Sequence, residues 1–166
     1  ATANTRDKGV NEMSAALKRR FNIVVLPAPA DLDSEMEIVR TRVIQLSENL
    51  DLNAKPPADK VIEKVCTIFR ELRRGETLDR AQKVKGTSGV LSTAEAISLL
   101  CNSMALAGSF GNGTITDEDL AAALQGAVIK DEDKDRVAWK EYLENVMKKR
   151  GSEWLGLYKA CRSLEG

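Results

Sequence analysis

From Asp33 to Ser163 apolar residues return three or four positions apart in one segment after another, and this helical period is the strongest constraint on what the chain can build. Met36, Val39, Val43, Leu46 and Leu50 share one helical face. Ahead of them Ser34 and Glu37 have the spacing of a capping box. Asp51 to Lys55 is a polar break, and Pro56-Pro57 open a second helix with Val61, Val65, Ile68, Phe69 and Leu72 on its inner face. That helix closes on Arg73-Arg74-Gly75, a cationic turn followed by glycine. Glu76 to Leu91 is irregular, with Gly86-Thr87-Ser88-Gly89 at its centre, and reads as a loop with a short strand around Lys83 to Lys85.

Ser92-Thr93-Ala94-Glu95 is a second capping box, before Ile97, Leu100, Cys101 and Met104; this helix is apolar around much of its circumference and so should be central. Thr116 to Asp119 start a fourth helix carrying Leu120, Leu124, Ala127 and Val128. Asp131 to Asp135 suggest a Ca²⁺ loop, but Arg136 and Tyr142 stand where an EF-hand needs glycine and glutamate, so helix capping is the better reading. A helix over about 134–149 places Trp139, Tyr142, Leu143, Val146 and Met147 on one side. The last helix, 152–163, carries Trp154, Leu155, Tyr158 and Cys161. Both tryptophans and both tyrosines fall in this pair, which reads as an aromatic hairpin that packs on the rest or docks a partner.

With 43% hydrophobic and 30% charged residues, a folded globular chain is expected. Basic and acidic residues balance at 25 each, which argues against nucleic acid or an anionic membrane as partner. The basic clusters at Lys18–Arg20, at Arg70 with Arg73-Arg74, and at Lys148–Arg150 fall at helix ends and read as solvated caps. Cys66, Cys101 and Cys161 are far apart and no histidine is present, so no zinc site is expected; reduced core thiols point to a cytoplasmic protein. No apolar run has the length of a membrane span.

The amino-terminal stretch is built differently. Ala1-Thr2-Ala3 reads as a strand end, Asn4 to Gly9 as a polar turn, the next residues as a short helix ending at Lys18-Arg19-Arg20, and Phe21 to Leu26 as an apolar strand. Pro27-Ala28-Pro29 then stops any pairing. Taken singly, Asn4 is a turn or cap residue and the arginines are helix-end cations.

Together, A-T-x-N followed by a short helix and A-L-x-R-R-F resembles the second half of an AAA+ ATPase core, closest to the MoxR-like branch. The resemblance implies a mainly α chain: a remnant of the α/β core over residues 1–29, the AAA+ helical lid over 30–130, and a C-terminal helical hairpin over 131–166. It implies Asn4 as the sensor-1 amide, which orients water or a phosphate oxygen. Arg20, with Arg19 as runner-up, would be an arginine finger acting in trans on a neighbouring subunit's γ-phosphate. The sensor-2 arginine of the family falls at Ala94, with Glu95 next, and is missing; either Lys85 or Arg80 in the preceding loop substitutes for it, or the lid couples to nucleotide without a sensor-2 charge.

The phosphate-cradling G-x-x-x-x-G-K-[ST] loop and the acidic strand end that holds Mg²⁺ are absent from these residues, so ATP and Mg²⁺ are expected on the full-length protein and no cofactor on this chain. The resemblance implies an ATP-driven, chaperone-like remodeller that assembles with itself into a ring and acts on a client protein. Two other classes stay open: a non-catalytic helical assembly module, and an AAA+ relative acting on nucleic acid.

Overall fold

The computed structural model describes residues 14–22, 24 and 28–165. After a single helical turn, α1 (Ala15–Lys18), come α2 (Leu32–Asn49), α3 (Asp59–Arg74), α4 (Thr93–Phe110), α5 (Asp117–Val128), α6 (Glu132–Asn145) and α7 (Ser152–Ser163). A 3-10 turn, Met147–Lys149, joins the last two. Among the described residues there is no strand, and one isolated antiparallel bridge, Glu76 to Lys83, stands where a short strand was expected.

Local chemistry sets most of these boundaries. Asp31, not Ser34, caps α2: its Oδ1 accepts from the Ser34 N–H at 2.7 Å, so the helix starts one turn earlier than the expected Ser34/Glu37 box. Pro56 and Pro57 precede α3 rather than opening it, and Ala58 is its N-cap. Gly75 ends α3 with φ +71°, a left-handed cap that costs glycine nothing. The Ser92/Glu95 capping box of α4 forms as expected, and Thr116 with Asp119 makes another at α5.

The helices close one core. α4 lies between α2 and α5, α3 packs on α2, and α7 lies chiefly against α5 rather than pairing with α6 as a free-standing hairpin. Trp139 and Tyr142 of α6 stack with ring centroids 5.8 Å apart inside the same core as Phe69 and Leu99. On α7 the inward stripe is Leu157, Ala160 and Cys161, with Trp154 and Tyr158 half-buried beside it and Leu155 exposed. All three cysteines are buried and free, and burial pushes the Cys66 and Cys161 thiols up to about 12, which leaves them inert.

A remnant of an α/β core does not form among the described residues. Phe21 and Val24, expected in a buried strand, are 53% and 77% exposed and irregular. A strand needs a partner to take its backbone groups, and no partner strand is present among those residues. Asn4 and the rest of the expected strand, Ile23, Val25 and Leu26, lie outside the described residues.

Close backbone approach fixes one glycine. A Cβ at Gly108 of α4 would lie 2.6 Å from the Asn53 carbonyl oxygen, in the loop between α2 and α3, whereas one at Gly126 of α5 would meet nothing within 4 Å. Gly108→Ala should therefore destabilise by about 1–3 kcal/mol through overpacking. Gly126→Ala should gain roughly 0.5–1 kcal/mol of helix propensity. Urea unfolding of the two variants checks this; a stabilised Gly108→Ala would overturn the packing account.

Candidate functional site

The start of α2, the end of α3 and the start of α4 meet at one buried carboxylate. Glu35 lies on the same α2 face as Val39 and Val43, fully buried, and accepts from three side chains. Arg70 Nη1 donates to its Oε2 at 2.7 Å, Arg73 Nη2 to Oε2 at 2.9 Å and Oε1 at 3.1 Å, and Thr93 Oγ1 to Oε1 at 2.9 Å. Burial pushes the Glu35 carboxyl up, but the arginine and threonine hydrogen bonds outweigh it and hold it below its ordinary value.

Each partner ties down a further piece of chain. Arg70 donates to the Pro29 and Ala30 carbonyls, at 3.2 and 3.0 Å, and so clasps the segment that enters α2. Arg73 Nη1 donates to the Leu91 carbonyl at 2.8 Å. Leu91 is fully buried with φ +48°, a strained backbone for a side chain of its size. The strain sits immediately before Ser92, the N-cap of α4.

The loop into α4 is held from its other side as well. Asp135 of α6 accepts from the Ser88 N–H (2.6 Å) and hydroxyl (2.7 Å) and from the Lys130 (2.9 Å) and Asp131 (2.8 Å) N–H groups. Burial raises its pKa, yet these donors win and bring it to about 2. A depressed carboxyl stabilises above its unfolded pKa, and that contribution fades as pH falls from about 4 through about 2. Asp135→Asn should thus be less stable than the parent at pH 7, with the gap narrowing on acidification. Urea unfolding from pH 7 to pH 2 reads it, and a gap that does not vary with pH would contradict the assignment.

A second buried carboxylate, Glu71, sits one residue along α3. It accepts from Tyr142 Oη at 2.6 Å, from the Leu78 N–H at 2.8 Å and from Arg150, which also stacks over Trp154 at 4.7 Å. Arg70, Arg73 and Arg150 are therefore structural cations in ion pairs, not solvated caps.

The expected site residues fall as follows. Arg19 and Arg20 lie exposed in the turn after α1, where the Arg19 N–H closes on the Ala15 carbonyl at 3.2 Å. Ala94 is exposed in the first turn of α4, and Glu95 is taken up by the capping box, accepting from the Ser92 N–H at 2.7 Å. Arg80 sits with Glu76 at 3.9 Å and Lys85 is exposed. The cations bound into the α4 start are instead Arg70 and Arg73, through Glu35 and Leu91. Their sequence signal was a charge in phase with an apolar stripe: Glu35 four residues before Val39, and Arg70 among Ile68, Phe69 and Leu72.

No group of three or more His, Cys, Asp or Glu able to hold a metal occurs among the described residues, and none of their helices is long and apolar enough to cross a membrane. The arrangement is mechanical: a charged clamp that joins the entering chain to the first turn of α4.

That clamp lies inside a known kind of domain. The family model for the YehL-like AAA+ ATPase C-terminal domain matches residues 33–165, and the chain belongs to this family. It is also similar to the uncharacterized protein YehL of Escherichia coli (strain K12), 34% identical over 165 residues. The match takes in 99% of this chain and 45% of that protein, so the chain spans less than half the length of the relative. No solved structure matches it.

Proposed function

We propose that this chain is the lid-bearing part of a MoxR-type AAA+ ATPase, a chaperone-like machine that remodels or matures a client protein. ATP and Mg²⁺ bind the rest of the full-length protein, which assembles with itself. Asn4 serves as the sensor-1 amide, and Arg20, with Arg19 as runner-up, reaches the neighbouring subunit's γ-phosphate. The observation that carries this reading is the Glu35 clamp: Arg70 holds Pro29 and Ala30 while Thr93 and Arg73 hold the start of α4. A displacement of the entering segment is passed to the helices as a rigid body, because a buried carboxylate bound by two arginines and a threonine has no cheap alternative arrangement. With no basic residue in the first turn of α4, nucleotide coupling runs through this segment rather than through a lid cation at Ala94.

The test is ATP turnover per subunit against concentration for the full-length protein. Turnover that rises with assembly supports a machine working at subunit boundaries; turnover near zero in the assembled protein sinks it.

A non-catalytic assembly module is the second reading. A groove of about 570 Å³ between α4 and α5, lined by Ala105, Ala122, Ala123, Gly126 and Ala127, and an exposed Phe110 beside it favour this reading.

A further inference from the structure

The groove between α4 and α5 follows α4 from Glu95 to Phe110, a length of about 22 Å at the helical rise per residue. The two helices run antiparallel. At one end the Gly113 N–H, in their connection, donates to the Ala107 carbonyl at 2.9 Å. At the other, Lys130, just past α5, has its Cγ 3.6 Å from the Cβ position of Gly89, just ahead of α4. Phe110 therefore stands at one end of the groove, and Gly126 and Ala127 lie toward the other, with Glu95 and Lys130.

The two ends complement each other. Phe110 is 86% exposed, an aromatic knob left in water. A Cβ at Gly126 would meet nothing within 4 Å, so nothing among the described residues requires this glycine inside a helix, where it costs helix propensity. What it leaves is a bare stretch of α5 backbone, exposed to whatever enters the groove. Asn102, also exposed, lies midway between the two ends.

Charge selects the occupant. Two identical faces repel unless each is neutral, and the charged residues lining this groove, Glu95 and Lys130, cancel. Such a wall favours neither an acidic nor a basic partner. A knob and a hole at opposite ends of one neutral face instead match a copy of that face turned by half a rotation.

We propose that the α4/α5 groove is a self-association face, on which two copies of this chain meet about a two-fold axis near Asn102. Phe110 of each copy seats over Gly126 of the other. The two Asn102 amides, each with donors and an acceptor, face each other across the axis. The contact is isologous and joins copies in pairs, unlike the head-to-tail contacts that close a ring. It rests on the assembly reading and deepens it by naming a second copy as the partner.

Sedimentation equilibrium of the chain over micromolar to millimolar concentrations tests this, and a monomer–dimer equilibrium is expected. Phe110→Ala and Gly126→Leu, both at exposed positions, should each weaken it about tenfold or more, as removal or blocking of an aromatic anchor does. Circular dichroism of the dilute variants should match the parent. Asn102→Asp and Asn102→Lys should each dissociate the pair by setting like charges against each other, and an equal mixture of the two should associate again. A chain monomeric throughout removes the contact and self-assembly together. Association undiminished in every variant, or a mixture that stays monomeric, overturns this contact while leaving assembly through another face in place.

Discussion

Glu35→Ala is expected to destabilise the fold by about 3–5 kcal/mol, the cost of stranding buried charges when one partner of an ion cluster is removed. Arg70 and Arg73 have side chains only 4% and 18% exposed, and no other carboxylate pairs with them among the described residues. Arg70 Nε is already buried without a partner, so its guanidinium has little slack to absorb a further loss. Thr93 would lose its acceptor in the same step.

The pH dependence follows from the direction of the Glu35 shift. Its pKa is lowered in the folded state, so the carboxylate stabilises above the ordinary glutamate range and ceases to do so as pH falls through its folded value. Parent and variant should therefore converge on acidification. Urea unfolding at pH 7 and under acid measures both effects. A loss below about 1 kcal/mol at pH 7 would show that the arginines find water instead, and would remove the clamp from the argument.

On the proposed motor reading, Arg20→Ala in the full-length protein is expected to lower ATP turnover by about 10³-fold or more while leaving nucleotide binding in place. That range is the usual worth of a trans guanidinium on the charge that spreads over the γ-phosphoryl oxygens. Arg20 suits the role so far as this chain goes, being exposed after α1 and taken up by no ion pair among the described residues. Arg19→Ala, beside it in the same turn, should fall less steeply. Equal, small losses in both variants would return the two residues to helix-end cations. Steady-state turnover beside equilibrium ADP binding separates the outcomes, since a finger acts on the transition state and a binding residue on affinity.

The helices were legible in the sequence because each carries its own local signals. Ser92 and Glu95 cap α4 as their spacing requires, Arg74-Gly75 ends α3, and Val39, Val65, Leu100, Leu124 and Trp139 all lie in the core where the 3.6-residue period puts them. Phe21 and Val24 misled for the opposite reason. Alternation and apolarity make a segment able to pair, but pairing is a property of two segments, and the described residues supply no second one. The arginine clusters misled because a cation at a helix end looks the same whether water or a buried carboxylate receives it.

What the sequence determined by itself is therefore the set of helices, their apolar faces and those ends that carry a cap within a turn, such as Ser92 of α4 and Gly75 after α3. Only the tertiary structure decided that Glu35, Arg70, Arg73 and Thr93 meet, that α7 turns to α5 rather than α6, and that α4 and α5 leave a groove between them. Those contacts join residues 35 to 58 positions apart in the case of the clamp, a span over which no local period or cap carries information. They form because burying one carboxylate obliges the chain to bring every available donor to it.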